Sequence, residues 1–297
     1  MKNYLMRSLM FVPAHNQQLL DSALRRNADM LLFDIEDSVP ICDKQQARDN
    51  IKHLTQISAF KNYSGGVFAR VNDRESGELL KDLYQLTTDG IDGFVYPKSN
   101  KGEDVYFVGK LLETIEYEKK LPIGSFKIIP LIETVGAVMN IMEICQACPN
   151  RVIAVAFGCE DYVTSLHGQH DTAGESIFFA RNMIVNAARA CGIAPIDTVH
   201  INVHDLDDLE KNLKLAKKIG FEGMLVLNPK ELPLVHKYFS PTQEELLWAE
   251  EMVALYDEAQ QEGKGVTLKN GKFVGPPMLS MAKNIIYKNN LINNDAK

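Results

Sequence analysis

Short runs of apolar, often β-branched residues alternate along the chain with longer stretches whose apolar positions recur every three or four residues. The first pattern predicts strands, the second amphipathic helices, and their alternation is that of a parallel α/β fold. The predicted strands are residues 8–13, 30–36, 67–72, 93–97, 127–132, 152–157, 198–202 and 223–227. Several are apolar at consecutive positions, as in Met30-Leu31-Leu32-Phe33 and Val152-Ile153-Ala154-Val155, which suits strands covered on both faces. Helical spacing predicts helices over 17–26, 44–55, 105–116, 135–148, 175–190 and 205–219, with Gly220 closing the last.

Eight strands, most followed by a helix, predict an α/β fold of the (β/α)8 TIM-barrel kind over residues 1–240. The competing doubly wound sheet would carry a Gly-rich phosphate loop after its first strand, and Pro13-Ala14-His15-Asn16 is not one. The pattern changes near Ser240. Residues 242–261 predict one long helix, 263–273 a hairpin turning at Asn270-Gly271, and 278–287 a last helix. Residues 241–297 are therefore expected to form a C-terminal arm of helix, hairpin and helix, without a linker to set them apart as a second independent domain.

Composition narrows the function classes. Hydrophobic residues make up 45% and charged residues 24%, an ordinary globular balance. The net charge of −7 and the lack of a Lys/Arg cluster argue against nucleic acid as a partner. No apolar run reaches the length of a membrane span or a signal-peptide core, so a cytoplasmic protein with no membrane partner is expected. Five cysteines, an odd number scattered over the chain, fit reduced thiols. Cys145 and Cys148 form a C-x-x-C inside a predicted helix, with no second pair to complete a zinc site.

In a TIM barrel the reacting groups stand at the C-terminal ends of the strands. Here those ends carry Asp34-Ile35-Glu36-Asp37, Arg70-Val71-Asn72-Asp73, Lys98, Glu133 and Glu160-Asp161. Glu133 and Asp161 end adjacent predicted strands, about 4.8 Å apart, and two carboxylates that close repel unless a cation lies between them or one is protonated. Mg2+ fits such a pair; no His or Cys is expected beside it, which disfavours Zn2+. The plain alternative is a surface Glu and a helix-capping Asp. Arg70 can grip a carboxylate with a two-pronged hydrogen bond, or pair with Glu36 or Asp37, or both. Lys98 is open to the same two readings. His15, His167, His170, His200 and His204 are expected to be solvated rather than catalytic.

Arg7-Ser8-Leu9-Met10-Phe11-Val12-Pro13 and Phe33-Asp34-Ile35-Glu36-Asp37-Ser38-Val39 resemble the opening of the citrate lyase β-subunit family and related acyl-CoA lyases. Ala69-Arg70-Val71-Asn72, Pro130-Leu131-Ile132-Glu133-Thr134, Gly158-Cys159-Glu160-Asp161-Tyr162 and Phe239-Ser240-Pro241-Thr242 extend the resemblance in register from about residue 7 to about 285. It implies a TIM barrel, Mg2+, and homotrimers that exchange C-terminal arms. The implied reaction cleaves or forms a carbon–carbon bond in a citryl, citramalyl or malyl thioester of coenzyme A or an acyl carrier protein, with oxaloacetate or pyruvate as the small keto acid. By position it implies Glu133 and Asp161 as metal ligands and Arg70 as the group that holds the keto acid and stabilises the enolate. Glu36 and Asp37 match carboxylates around the metal. One position departs: where the family's arm carries an acid/base Asp, this chain has Gly275, in Gly271-Lys272-Phe273-Val274-Gly275-Pro276-Pro277. A catalytically weakened binding or assembly subunit, or an aldolase of free keto acids, are the readings this departure opens.

Overall fold

The computed structural model describes residues 4–170, 174–261, 267–269 and 272–295, through the backbone alone for 267–269, 272–274 and 294–295. The strands are β1 Ser8–Pro13, β2 Met30–Asp34, β3 Gly66–Arg70, β4 Gly93–Tyr96, β5 Lys127–Ile132, β6 Ala154–Phe157, β7 Ala194–Asp197 and β8 Gly223–Val226. They pair in sequence order, all parallel, and β8 returns to β1 to close the barrel. β2, β4 and β6 are buried at every position, so their runs of consecutive apolar residues follow from cover on both faces.

The helices are α1 Gln17–Ala23, α2 Lys44–Leu54, α3 Ser58–Lys61, α4 Leu79–Leu86, α5 Gly102–Glu118, α6 Val135–Met139 and α7 Ile141–Gln146. They continue with α8 Cys159–Leu166, α9 Glu175–Ala190, α10 Leu206–Ile219, α11 Leu232–Phe239, α12 Gln243–Gln261 and α13 Pro276–Asp295. α2 shows how the outer ring docks: Ala47, Ile51 and Leu54 form its buried apolar stripe, and Arg48 joins it only because Asp82 and Glu78 neutralise the guanidinium.

Three expectations need correction. The seventh strand is Ala194–Asp197, not 198–202. Pro195, which lacks an N–H, reads in sequence as a strand breaker, yet its carbonyl accepts from Glu222 N–H and its neighbours pair with β6. The alternating Thr198-Val199-His200-Ile201-Asn202 is instead a loop whose Ile201 is exposed. The helix expected over 135–148 is two, because Asn140 breaks it and its side chain turns to donate to Asn100 O. Cys148 therefore lies past the end of α7, and all five cysteines are free.

Two compact units emerge. One is Met6–His236, the barrel; the other is Lys237–Lys297 with the first residues of the chain. Within the second, α12 and α13 pack through Ala249, Met252 and Ala282, flanked by Trp248, Met278 and Ile285. β9 Thr267–Lys269 and β10 Lys272–Val274 pair antiparallel as the hairpin predicts. The expected turn at Asn270-Gly271 lies outside the described residues. The last helix runs Pro276–Asp295, longer than expected. Gly275 is buried just before it, and its carbonyl accepts from the Met278 and Leu279 N–H groups.

Candidate active site at the C-terminal face of the barrel

Strand register decides what meets what. Asp34 and Arg70 are direct partners at the ends of β2 and β3. The Arg70 guanidinium donates from Nε to Asp34 Oδ1 and from Nη2 to Asp34 Oδ2, both at 2.7 Å. Nη1 lies 3.1 Å from Glu36 Oε2 and 3.5 Å from Asp37 Oδ2, and Cζ lies over the Phe11 ring, 4.8 Å from its centroid. Burial opposes the charge on Arg70, but Asp34, Glu36 and Asp37 raise its pKa above the ordinary range. One edge of the fork is thus fixed by Asp34. The end-on edge, Nη1 with the second Nη2 proton, is left to meet Glu36, Asp37 or a ligand carboxylate. Asp34 was not singled out from the sequence as Arg70's partner; both pairings that were, Glu36 and Asp37, are present beside it.

The loop after β2 is braced from below. Asp34 accepts from the Glu36 and Ser38 N–H groups, and buried Lys44 donates to the carbonyls of Ile35 and Glu36. This fixes Glu36, 4% exposed, with its carboxylate turned to the site. Both of its oxygens are buried without an aligned hydrogen bond, although Arg70 Nη1 and Lys98 Nζ each stand 3.1 Å away. Charges meet there, but acceptor lone pairs stay open. Burial, aided by Asp37, raises the Glu36 pKa against the pull of Arg70.

Glu133 follows β5 and is 2% exposed. Its Oε1 accepts from the Lys98 N–H at 2.5 Å, and Lys98 itself holds a left-handed φ of 52° to present that N–H. Lys98 Nζ spans Glu36 and Asp73, the latter at 3.0 Å. Gly158 leaves room for the Glu133 side chain: a Cβ there would stand 2.8 Å from Glu133 Cβ and 3.0 Å from Oε2. Burial first, then the charges of Glu36 and Asp161, push the Glu133 carboxyl up to about 8. Asp161 stands in the first turn of α8, exposed, rather than on the strand itself. A buried Glu36 with acceptor capacity to spare, and a Glu133 carboxyl raised first by burial and then by two further carboxylates, fit a hard divalent cation. Glu133 and Asp161 are the residues that would hold it, with Glu36 and Asp37 as nearby carboxylates.

One expectation about histidine changes. His200 is 6% exposed, not solvated, and bonds Asp208 Oδ2 through Nε2 at 3.0 Å. Next to Asp161 in the chain, Cys159, Glu160 and His170 gather their donor atoms within 4.8 Å of one another, a group that includes neither Glu133 nor Asp161. His167 and His204 are exposed as expected. Behind β3, the carboxylate of Asp82 bonds Arg48 at 2.6 Å and Asn72 through both its N–H and Nδ2, pinning the stretch that follows Arg70.

Comparison with known proteins bears on the fold and the family. A citrate lyase subunit beta from Haemophilus influenzae is 33% identical over 284 residues, spanning 96% of this chain and 97% of that protein. The mitochondrial citramalyl-CoA lyase of Rattus norvegicus is 28% identical over 289 residues, spanning 94% and 85%. Among solved structures, protein CitE from Mycobacterium tuberculosis, in complex with magnesium, acetoacetate and coenzyme A, shares the fold with a TM-score of 0.76. It is 22% identical and covers 96% of this chain and 98% of its own. The sequence pattern of HpcH/HpaI aldolase/citrate lyase matches residues 7–229, the whole barrel from β1 to the loop after β8, and the chain belongs to that family.

Proposed function

We propose that this chain is a Mg2+-dependent carbon–carbon lyase, or the reverse synthase, acting on a 3-hydroxy diacid thioester of the citryl, citramalyl or malyl kind. The observation that carries the reading is the buried group of Glu36, Glu133 and Asp34 around one Arg70, at the C-terminal ends of the strands where barrel enzymes react. The names of the lyase relatives, and the magnesium, acetoacetate and coenzyme A of the Mycobacterium tuberculosis protein, support it.

When bound, the cation supplies Lewis acidity to the substrate's hydroxyl oxygen, which becomes the ketone oxygen of the product. Arg70 holds the keto-acid carboxylate on its end-on edge while Asp34 keeps the guanidinium in plane. Cleavage sends the carbon–carbon bonding pair to the thioester's α-carbon as an enolate, and Arg70 balances the negative charge that develops. Glu36, buried and with open lone pairs, is the group placed to take the hydroxyl proton. The proton taken up by Glu36, returned through solvent to the enolate carbon, then gives the acetyl thioester and resets Glu36.

Gly275 favours a second reading, a subunit that binds keto acid or thioester without fast turnover, since Gly has no proton to exchange. Incubation with citryl-, citramalyl- and malyl-CoA and Mg2+ separates the two: keto-acid release supports the lyase, and ligand binding without release supports the subunit.

A further inference from the structure

A cavity of about 310 Å3 opens between α8, α9, α10 and the loop after β7. Its wall includes Cys159, Glu160 and His170, three donors of different chemistry. Glu160 Oε1 lies 3.1 Å from His170 Nε2 and 3.6 Å from Cys159 Sγ. Ligands bound to one zinc-sized ion at about 2.0–2.3 Å stand apart by nearly these distances.

A second observation comes from the opposite wall. His200 is 6% exposed, donates or accepts at Nε2 with Asp208 at 3.0 Å, and leaves Nδ1 buried without a partner. A carboxylate on one ring nitrogen and a free lone pair on the other is how proteins prepare a histidine for a metal. Charge points the same way. Glu160, Asp197 and Asp208 face the cavity with three negative charges, against one positive charge from Arg181, which Asp197 already holds. A dication bound to a deprotonated Cys159 brings the net charge of this lining from −2 to −1.

We propose that this cavity is a second metal site, taking a thiophilic divalent cation of the zinc class through Cys159, Glu160 and His170, with His200, which lines the same cavity but stands outside that group, drawn in as a further donor. Sulfur and imidazole donors select against Mg2+, whereas the all-oxygen group at Glu133 and Asp161 selects for it, so the two ions sort by softness. The two sites share α8: Glu160 and Asp161 are consecutive in its first turn.

The test uses the full chain saturated with Mg2+ and titrated with Co2+ as a spectroscopic stand-in for zinc. The expected result is one equivalent of Co2+, a thiolate-to-cobalt charge-transfer band in the near ultraviolet, and displacement by Zn2+ but not by further Mg2+. Cys159→Ser removes the band. His170→Ala, at an exposed position that folding does not depend on, weakens Co2+ binding at least about tenfold, and Asp208→Asn weakens it about ten- to a hundredfold through His200. Should Cys159→Ser fail to fold, His170→Ala decides. A native protein without the band overturns the proposal. So does a band that survives both Cys159→Ser and His170→Ala, which would place the ion on another thiol, or Co2+ that excess Mg2+ displaces.

Discussion

Replacing Glu133 by Gln removes a charge while keeping the oxygen to which the Lys98 N–H donates at 2.5 Å. In the metal-free protein the natural carboxyl is held up to about 8, against an ordinary 4.5, by burial and by the charges of Glu36 and Asp161. A carboxyl whose folded pKa exceeds its unfolded one favours folding fully below the unfolded value, and that contribution is lost as pH rises through the folded value. The gap sets a ceiling of about 5 kcal/mol at pH above 8, and coupling to Glu36 reduces it. With chelator present, the natural protein and Glu133→Gln should therefore match in stability near pH 4.5. By pH 8.5 Glu133→Gln should melt roughly 5–15 °C higher, at about 2–4 °C per kcal/mol. Saturating Mg2+ should restore the natural protein at pH 8.5 and leave Glu133→Gln nearly unchanged. Scanning calorimetry across this range, with and without Mg2+, reads both effects. Parallel pH profiles for the two proteins would refute the claim that a buried, charge-crowded Glu133 prepares this site for a cation.

Arg70→Lys keeps the charge but loses both planar edges, so calorimetric affinity for oxaloacetate or pyruvate in Mg2+ should fall at least about tenfold; an unchanged affinity would exclude recognition by the guanidinium. Asp82→Ala leaves Arg48 and the two Asn72 donors without their acceptor in a fully buried place, and urea unfolding should report a loss of about 3–5 kcal/mol. A loss under 1 kcal/mol would mean that Glu78 alone can hold Arg48. Gly275→Asp should speed thioester cleavage by part of the 10²–10⁴ that a positioned acid/base group typically contributes. A folded, ligand-binding Gly275→Asp protein with unchanged turnover would count against Gly275 as the missing group.

Strands covered on both faces announce themselves through runs of consecutive apolar residues; that is why β2, β5 and β6 could be read directly, their charged residues Asp34 and Lys127 standing at the strand ends. β7 could not. It has only four residues, one of them Pro195, and the loop behind it mimics a strand's alternation more faithfully. The site residues followed from the rule that charge at a strand end is either paired or functional. Their partners did not, because pairing depends on register, which periodicity leaves open: Asp34 and Arg70 are level across β2 and β3 although 36 residues apart. Likewise Cys159 and His170 meet only because α8 ends in a left-handed turn at His167 and the chain doubles back past Glu160. Gly158 gave no sign of its role, since the need for an absent Cβ beside Glu133 exists only once β5 and β6 are neighbours.

The central claim is that Glu133, Asp161, Glu36 and Arg70 form one Mg2+-dependent lyase site. Its most direct test is keto-acid release from purified protein given citryl-, citramalyl- and malyl-CoA, measured with Mg2+, with chelator, and in Glu133→Gln. The account predicts release from at least one of these thioesters that vanishes with chelator and falls at least about a hundredfold in Glu133→Gln. Release that persists undiminished in chelator, or no release from any thioester by a protein that binds Mg2+ and keto acid normally, would contradict it.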